Sequence, residues 1–170
     1  MQMRTLFYIA FLALTLSSCE KVKWATVTVN GKYTMQLPNY LESGTFYKDA
    51  SLQYKNEERE FYMVVLDESK SSFKEYGLDY DLTTYFKVAA SKFDSTGRIM
   101  PERIVIGPDS ARTAEFKGNI SDHDVYYKMV TIESKGNFYK MLVWMMMRDK
   151  EKYAADVSKI IGSFREVSEK

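Results

Sequence analysis

The sequence predicts an α+β domain, an antiparallel β-sheet flanked by helices, and three features predict it. Two β-rich runs meet at Asn30-Gly31, the second half of the chain is crowded with four more, and two stretches carry apolar residues at helical spacing. The order is hairpin, strands, helix, long strands, helix. That order suits helices packed on an antiparallel sheet, not the strict alternation of a parallel one.

The chain opens with a segment that reads as an address. Arg4 gives a positive start, and Leu6 to Leu16 ("LFYIAFLALTL") is an uncharged apolar run of 11 residues. A membrane-spanning helix needs about 20, so residues 1–18 read as a signal peptide. The run ends in "LSSC", with Leu16 three residues before Cys19, the only cysteine. This resembles the lipobox of bacterial lipoproteins. The resemblance implies cleavage before Cys19, a diacylglycerol on its sulfur and acylation of the new amine. Residues 19–23 are then a lipidated cysteine with a short tether, and five extended residues reach roughly 17 Å. Two or three acyl chains hold a protein at a membrane where one does so only marginally. The expected location is the bacterial cell envelope, with the outer membrane favoured over the inner.

Residues 24–166 are expected to form one domain, a size that suits a single core. The full chain has 24 Lys and Arg against 23 Asp and Glu, and loss of Arg4 makes the two equal. That balance gives no electrostatic case for nucleic acid. With Cys19 lipidated, no disulfide forms within the chain, and stability must come from the 45 % hydrophobic content.

Within the domain, "WATVTV" and "KYTMQL" flank Asn30-Gly31, which favours a type I′ turn. Pro38 ends the second run, and "PNYLESG" reads as a turn or short helical piece. "SLQYK" and "EFYMVVLDE" are strands joined by the charged loop Asn56 to Arg59. A short helix is expected around Ser71 to Tyr76. Asp81 then caps a longer one, with Leu82, Tyr85, Phe86, Ala89 and Phe93 on one face and an end near Thr96-Gly97. "RIVIG", "ARTAEFKG", "DVYYKMVTIES" and "NFYKMLVWMMM" are strands, the last two joined at Lys135-Gly136. "NFYKMLVWMMM" is apolar on both faces, which marks a central strand. Its Trp144 is expected to be buried between sheet and helix. Asp149 is expected to cap a final helix whose Tyr153, Val157, Ile160, Ile161 and Phe164 face the core.

"YTMQLPNYL", "DASLQYKNEEREFYMVVLDE", the middle helix, "VYYKMVTIESKGNFYKMLVW" and "YAADVSKIIGSF" together resemble the PsbP-like fold, over roughly Ala25 to Glu166. This family includes the PsbP subunit of photosystem II, the Ran-binding Mog proteins and several bacterial lipoproteins. The resemblance implies helices on both faces of an antiparallel sheet, and a binding role with no shared catalytic set.

Residues able to carry chemistry are few. His123, the only histidine, sits among Ser121, Asp122 and Asp124, but neighbours in a strand or turn point apart and do not make a triad. Met145, Met146 and Met147 could offer thioethers to copper(I), yet a methionine-rich central strand more simply fills a core. Asp79 and Asp81 lack the glycine and distal glutamate of a calcium loop. Glu57, Glu58 and Glu60 fall in a hairpin loop, where paired carboxylates face solvent and not a substrate. No metal, cofactor or catalytic residue is therefore expected. Tyr126, Tyr127 and Tyr139 are the candidate interaction surface, since aromatic residues are enriched at interfaces, and half-buried strand residues with wet hydroxyls are the equal alternative. The expected role is a non-enzymatic, lipid-anchored binding or scaffolding module that engages another envelope protein. The alternative is a carrier of a small or apolar ligand held between sheet and helices.

Overall fold

The computed structural model describes residues 21–93, 95 and 97–167. The expected signal peptide and Cys19 lie outside the described residues. Two antiparallel sheets make up the β structure. The smaller pairs β1 (Trp24–Val29) with β2 (Tyr33–Pro38), joined on the far side by β10 (Arg165–Glu166). The larger has seven strands in the order β3-β4-β5-β9-β8-β7-β6. These are β3 (Glu42–Ser43), β4 (Leu52–Asn56), β5 (Phe61–Ser69), β6 (Glu102–Ile106), β7 (Asp109–Ile120), β8 (His123–Glu133) and β9 (Asn137–Met146). Among the described residues there are three α-helices: α1 (Lys70–Glu75), α2 (Leu82–Ala90) and α3 (Lys150–Gly162). No helix among the described residues is long and apolar enough to cross a membrane.

Local chemistry explains most of these elements. Asn30 and Gly31 have φ of 50° and 68°, as a type I′ turn requires, and the Lys32 amide donates to the Val29 carbonyl at 2.8 Å. Ser121 and Asp122 are likewise at positive φ in the two-residue link between β7 and β8. The Asp81 side chain caps α2, its Oδ1 accepting the Thr84 amide at 2.7 Å. β9 is central, bonded to β5 on one side and β8 on the other, as the apolar residues on both of its faces demand.

One face of the large sheet packs against the small sheet and α3. Tyr33, Met35 and Leu37 of β2 meet Tyr139, Met141, Val143 and Met145 of β9, with Tyr153, Val157, Ile160, Ile161 and Phe164 closing the layer. The opposite face is covered by α2, where Phe86 and Ala89 lie on Val64, Ala114, Met129 and Leu142. Helices therefore flank an antiparallel sheet, as the sequence predicts. The small sheet is an addition. The first hairpin leaves the main sheet and holds the end of the chain through β10, because the Val167 amide donates to the Lys32 carbonyl at 2.7 Å. Glu166 locks this arrangement, accepting hydrogen bonds from Ser134 Oγ (2.7 Å), Asn137 Nδ2 (3.1 Å) and Tyr139 Oη (2.7 Å).

Four local expectations are corrected. "PNYLESG" opens with the expected turn, and the correction is that the two-residue strand β3 follows it and finds hydrogen-bond partners in β4. α2 stops at Ala90, short of Thr96-Gly97, where the Ser91 hydroxyl donates to the Val88 carbonyl at 2.9 Å. Asp149 makes no capping hydrogen bond. A 3₁₀ turn over Met147–Asp149 runs straight into α3, so Asp149 has near-helical backbone where a capping residue needs an extended one. Trp144 is half-buried, stacked on Tyr62 at 5.4 Å and edge-on to Phe46 at 6.0 Å. A loop aromatic, and not a helix, covers it.

Candidate functional site

The register of the large sheet brings together residues that are far apart in sequence. On the face under α2, one row crosses five strands: Arg103, Arg112, Thr131, Lys140 and Leu66. The next row holds Val105, Ser110, Glu133, Phe138 and Glu68. On the other side of the charged row lies the apolar row Ala114, Met129, Leu142 and Val64. A band of charge thus runs beneath the start of α2, with an apolar row on one side.

Each charge has a distinct environment. Lys140 is only 6 % exposed. Burial, the largest effect, pushes its ammonium below the ordinary lysine value, while Glu68 opposes the shift and Lys92 adds to it. Glu68 accepts a short hydrogen bond from the Tyr85 hydroxyl. Glu133 pairs with Lys70 at 2.7 Å. Arg112 Nη2 donates to Thr83 Oγ1 at 2.6 Å, but its buried Nε has no partner, and neither does the buried hydroxyl of Thr131. Where the band reaches the sheet edge, a cleft of about 350 Å³ opens between α2 and the β6–β7 hairpin. Its walls include Asp81, Thr83, Arg103, Val105, Arg112 and Glu133.

The tyrosines expected to form one surface do not do so. Tyr126 is 5 % exposed on the α3 side, beneath Lys150, whose Nζ lies 5.1 Å from the ring centre. Tyr139 is wholly buried on that same side, edge-on to Tyr33 and Phe164. Tyr127 is half-buried on the α2 side, stacked on Phe116 at 5.2 Å. Adjacent strand residues point to opposite faces, so Tyr126 and Tyr127 cannot share a surface. These rings are core and core margin.

The other residues singled out by sequence are scattered. His123 is exposed at the start of β8, directly after the Ser121-Asp122 turn. Met141 and Met145 are buried in the main core. Glu57 pairs with Lys55, and Glu60 with Arg148. Among the described residues, no group of three or more His, Cys, Asp or Glu side chains is placed to hold a metal ion. Arg103, Arg112 and Lys140 escaped the sequence reading. The available signal was a cation inside each of the runs "ARTAEFKG" and "NFYKMLVW", since a buried polar residue says more than an exposed apolar one.

The architecture is the PsbP-like fold. The chain matches no family model and no curated protein. Among solved structures it is similar to CyanoP, the cyanobacterial PsbP of Synechocystis, with a TM-score of 0.55 and 12 % identity over 89 % of this chain and 98 % of that one. It is also similar to LpqN of Mycobacterium tuberculosis, described as involved in cell envelope biogenesis, with a TM-score of 0.54 and 11 % identity over 87 % of this chain and 92 % of that one. At such identities the likeness is one of fold.

Proposed function

We propose that the chain is a lipid-anchored module of the bacterial cell envelope that works by binding another envelope protein and not by catalytic turnover. The observation that carries this reading is the junction between address and domain. β1 begins at Trp24, five residues after the "LSSC" cysteine, so a lipid on Cys19 would hold the folded domain within roughly 17 Å of the membrane. The likeness to LpqN supports an envelope location, and the outer membrane is the favoured one. An envelope partner then meets the cleft beside α2 and the β6 edge, where Val105 is 74 % exposed. The rival reading, a carrier with an apolar ligand between sheet and helix, has less support. Met141, Tyr153, Val157, Ile161 and Phe164 already fill that space.

Mass spectrometry of the mature N-terminus is expected to show an acylated Cys19, and Cys19→Ala to leave an unprocessed, unacylated precursor. An unmodified Cys19 thiol would sink the anchor. In a deletion strain whose phenotype the wild type rescues, His123→Ala is expected to rescue equally. Loss of rescue by a folded, lipidated variant would move the search to a catalytic or metal site around Asp122 and Asp124.

A further inference from the structure

We propose that the cleft between α2 and the β6–β7 hairpin binds an oxyanion, the carboxylate or phosphate group of a ligand, between Arg103 and Arg112. The inference rests on reading the molecule as a binder, and it is independent of the anchor.

Arg103 and Arg112 are direct cross-strand partners. Like charges directly opposite each other destabilise a β-hairpin, so an arginine pair at such a position calls for a counter-charge. Two carboxylates line the cleft wall, and the charge of Arg112 is felt by Asp81 without an ion pair between them. Asp81 holds the Thr84 amide as the cap of α2, and Glu133 holds the Lys70 ammonium. Among the described residues neither arginine forms an ion pair. Arg112 is furthermore only half satisfied, with Nη2 on Thr83 and a buried Nε that finds no acceptor. An unmatched buried donor is costly, and a bond to a charged acceptor is among the strongest a side chain makes.

Shape and chemistry agree with an anionic guest. A guanidinium presents N–H donors in a planar fork that matches two oxygens of a carboxylate or phosphate. The proposal requires the Arg112 side chain to turn so that its buried Nε edge reaches the cleft, which Arg103 flanks from the exposed strand. Val105, 74 % exposed beside them, offers apolar contact for the carbon skeleton that carries the anion. About 350 Å³ of open space suits an acidic side chain, a chain terminus or a small organic acid.

The test follows the arginine Nε–H resonances of the full ¹⁵N-arginine-labelled chain in neutral detergent. Sodium succinate and sodium phosphate are titrated separately, against sodium chloride at equal ionic strength. Saturating shifts of the Arg103 and Arg112 signals are expected, with a Kd on the order of millimolar, weakened about tenfold or more in Arg103→Gln and in Arg112→Gln. Saturation by succinate alone assigns a carboxylate ligand, by phosphate alone a phosphorylated one, and by both the shared oxyanion chemistry. Arg103 is exposed on an edge strand, so Arg103→Gln keeps the fold, as an unchanged amide spectrum away from the cleft verifies. Shifts that track ionic strength without saturating, or that saturate equally in Arg103→Gln, overturn the proposal. Such a result leaves Cys19 acylation and the His123→Ala rescue untouched, so the two readings fail separately.

Discussion

Single side chains on the two faces of the sheet illustrate opposite fates of charge. Glu115 takes Lys128 and Lys150 at 2.9 Å each. Burial, the largest effect, would raise its pKa, but hydrogen bonds from Lys150 and Lys128 together outweigh it and bring the carboxyl down from 4.5 to about 2. The carboxylate's contribution to stability is therefore complete above about 4.5 and is lost as pH falls toward about 2. Denaturation midpoints measured from pH 6 to 2 are expected to fall less steeply below 4.5 in Glu115→Gln than in the wild type, and the difference to shrink in high salt. Identical slopes would remove Glu115 from the account. Lys140 is the converse case, a cation held below its ordinary pKa by burial. At neutral pH it carries a desolvation cost that Glu68 offsets only in part, so Lys140→Met is expected to raise stability by about 1 kcal/mol. A lower urea midpoint for Lys140→Met would mean that the attraction of Glu68 exceeds that cost.

At the scale of elements, two aspartates that look alike in sequence do different things. Asp81 precedes α2 with extended backbone and holds the Thr84 amide, whereas Asp149 precedes α3 inside a 3₁₀ turn and caps nothing. Asp81→Ala is expected to cost about 1 kcal/mol and Asp149→Ala no more than a few tenths. Equal losses in chemical denaturation would contradict this division. Both residues matched the Asp-before-apolar-periodicity rule, and only the backbone path leading into the helix separates them. The strands were more legible. Asn-Gly at positions 30–31 and the two-sided apolar run of β9 each allow one local answer, because turn stereochemistry and burial on both faces constrain sequence strongly. The short strand β3 was illegible, since two residues carry no periodicity and pair only because β4 offers a free edge.

For the whole molecule, the decisive contact is the closure of Phe164 on the first hairpin. Phe164 is wholly buried against Tyr33 of the small sheet at 5.3 Å and Tyr139 of the large one at 4.9 Å. It follows α3, so it joins three elements in one ring cluster. Phe164→Ala is expected to cost about 3–5 kcal/mol, a large share of the 5–15 kcal/mol typical of a domain. The unfolding transition is expected to remain single, with its midpoint sharply lowered. A second transition, with the small sheet melting first, would show that the two sheets are separable units.

The sequence by itself determined the α+β class, nearly every strand, the hairpin at Asn30-Gly31, the cap at Asp81 and the core face of α3. Each is a local property, set by side-chain periodicity of 2 or 3.6 and by turn residues within a few positions. The tertiary structure alone decided that the first hairpin forms a separate sheet with β10, that Tyr126 and Tyr139 are buried, and that Arg103, Arg112, Thr131 and Lys140 share one row. Those facts depend on pairing register between distant strands. A slip of one residue in any pairing would send each side chain to the opposite face, and nothing in a single strand's own sequence specifies which residue of another strand it will meet.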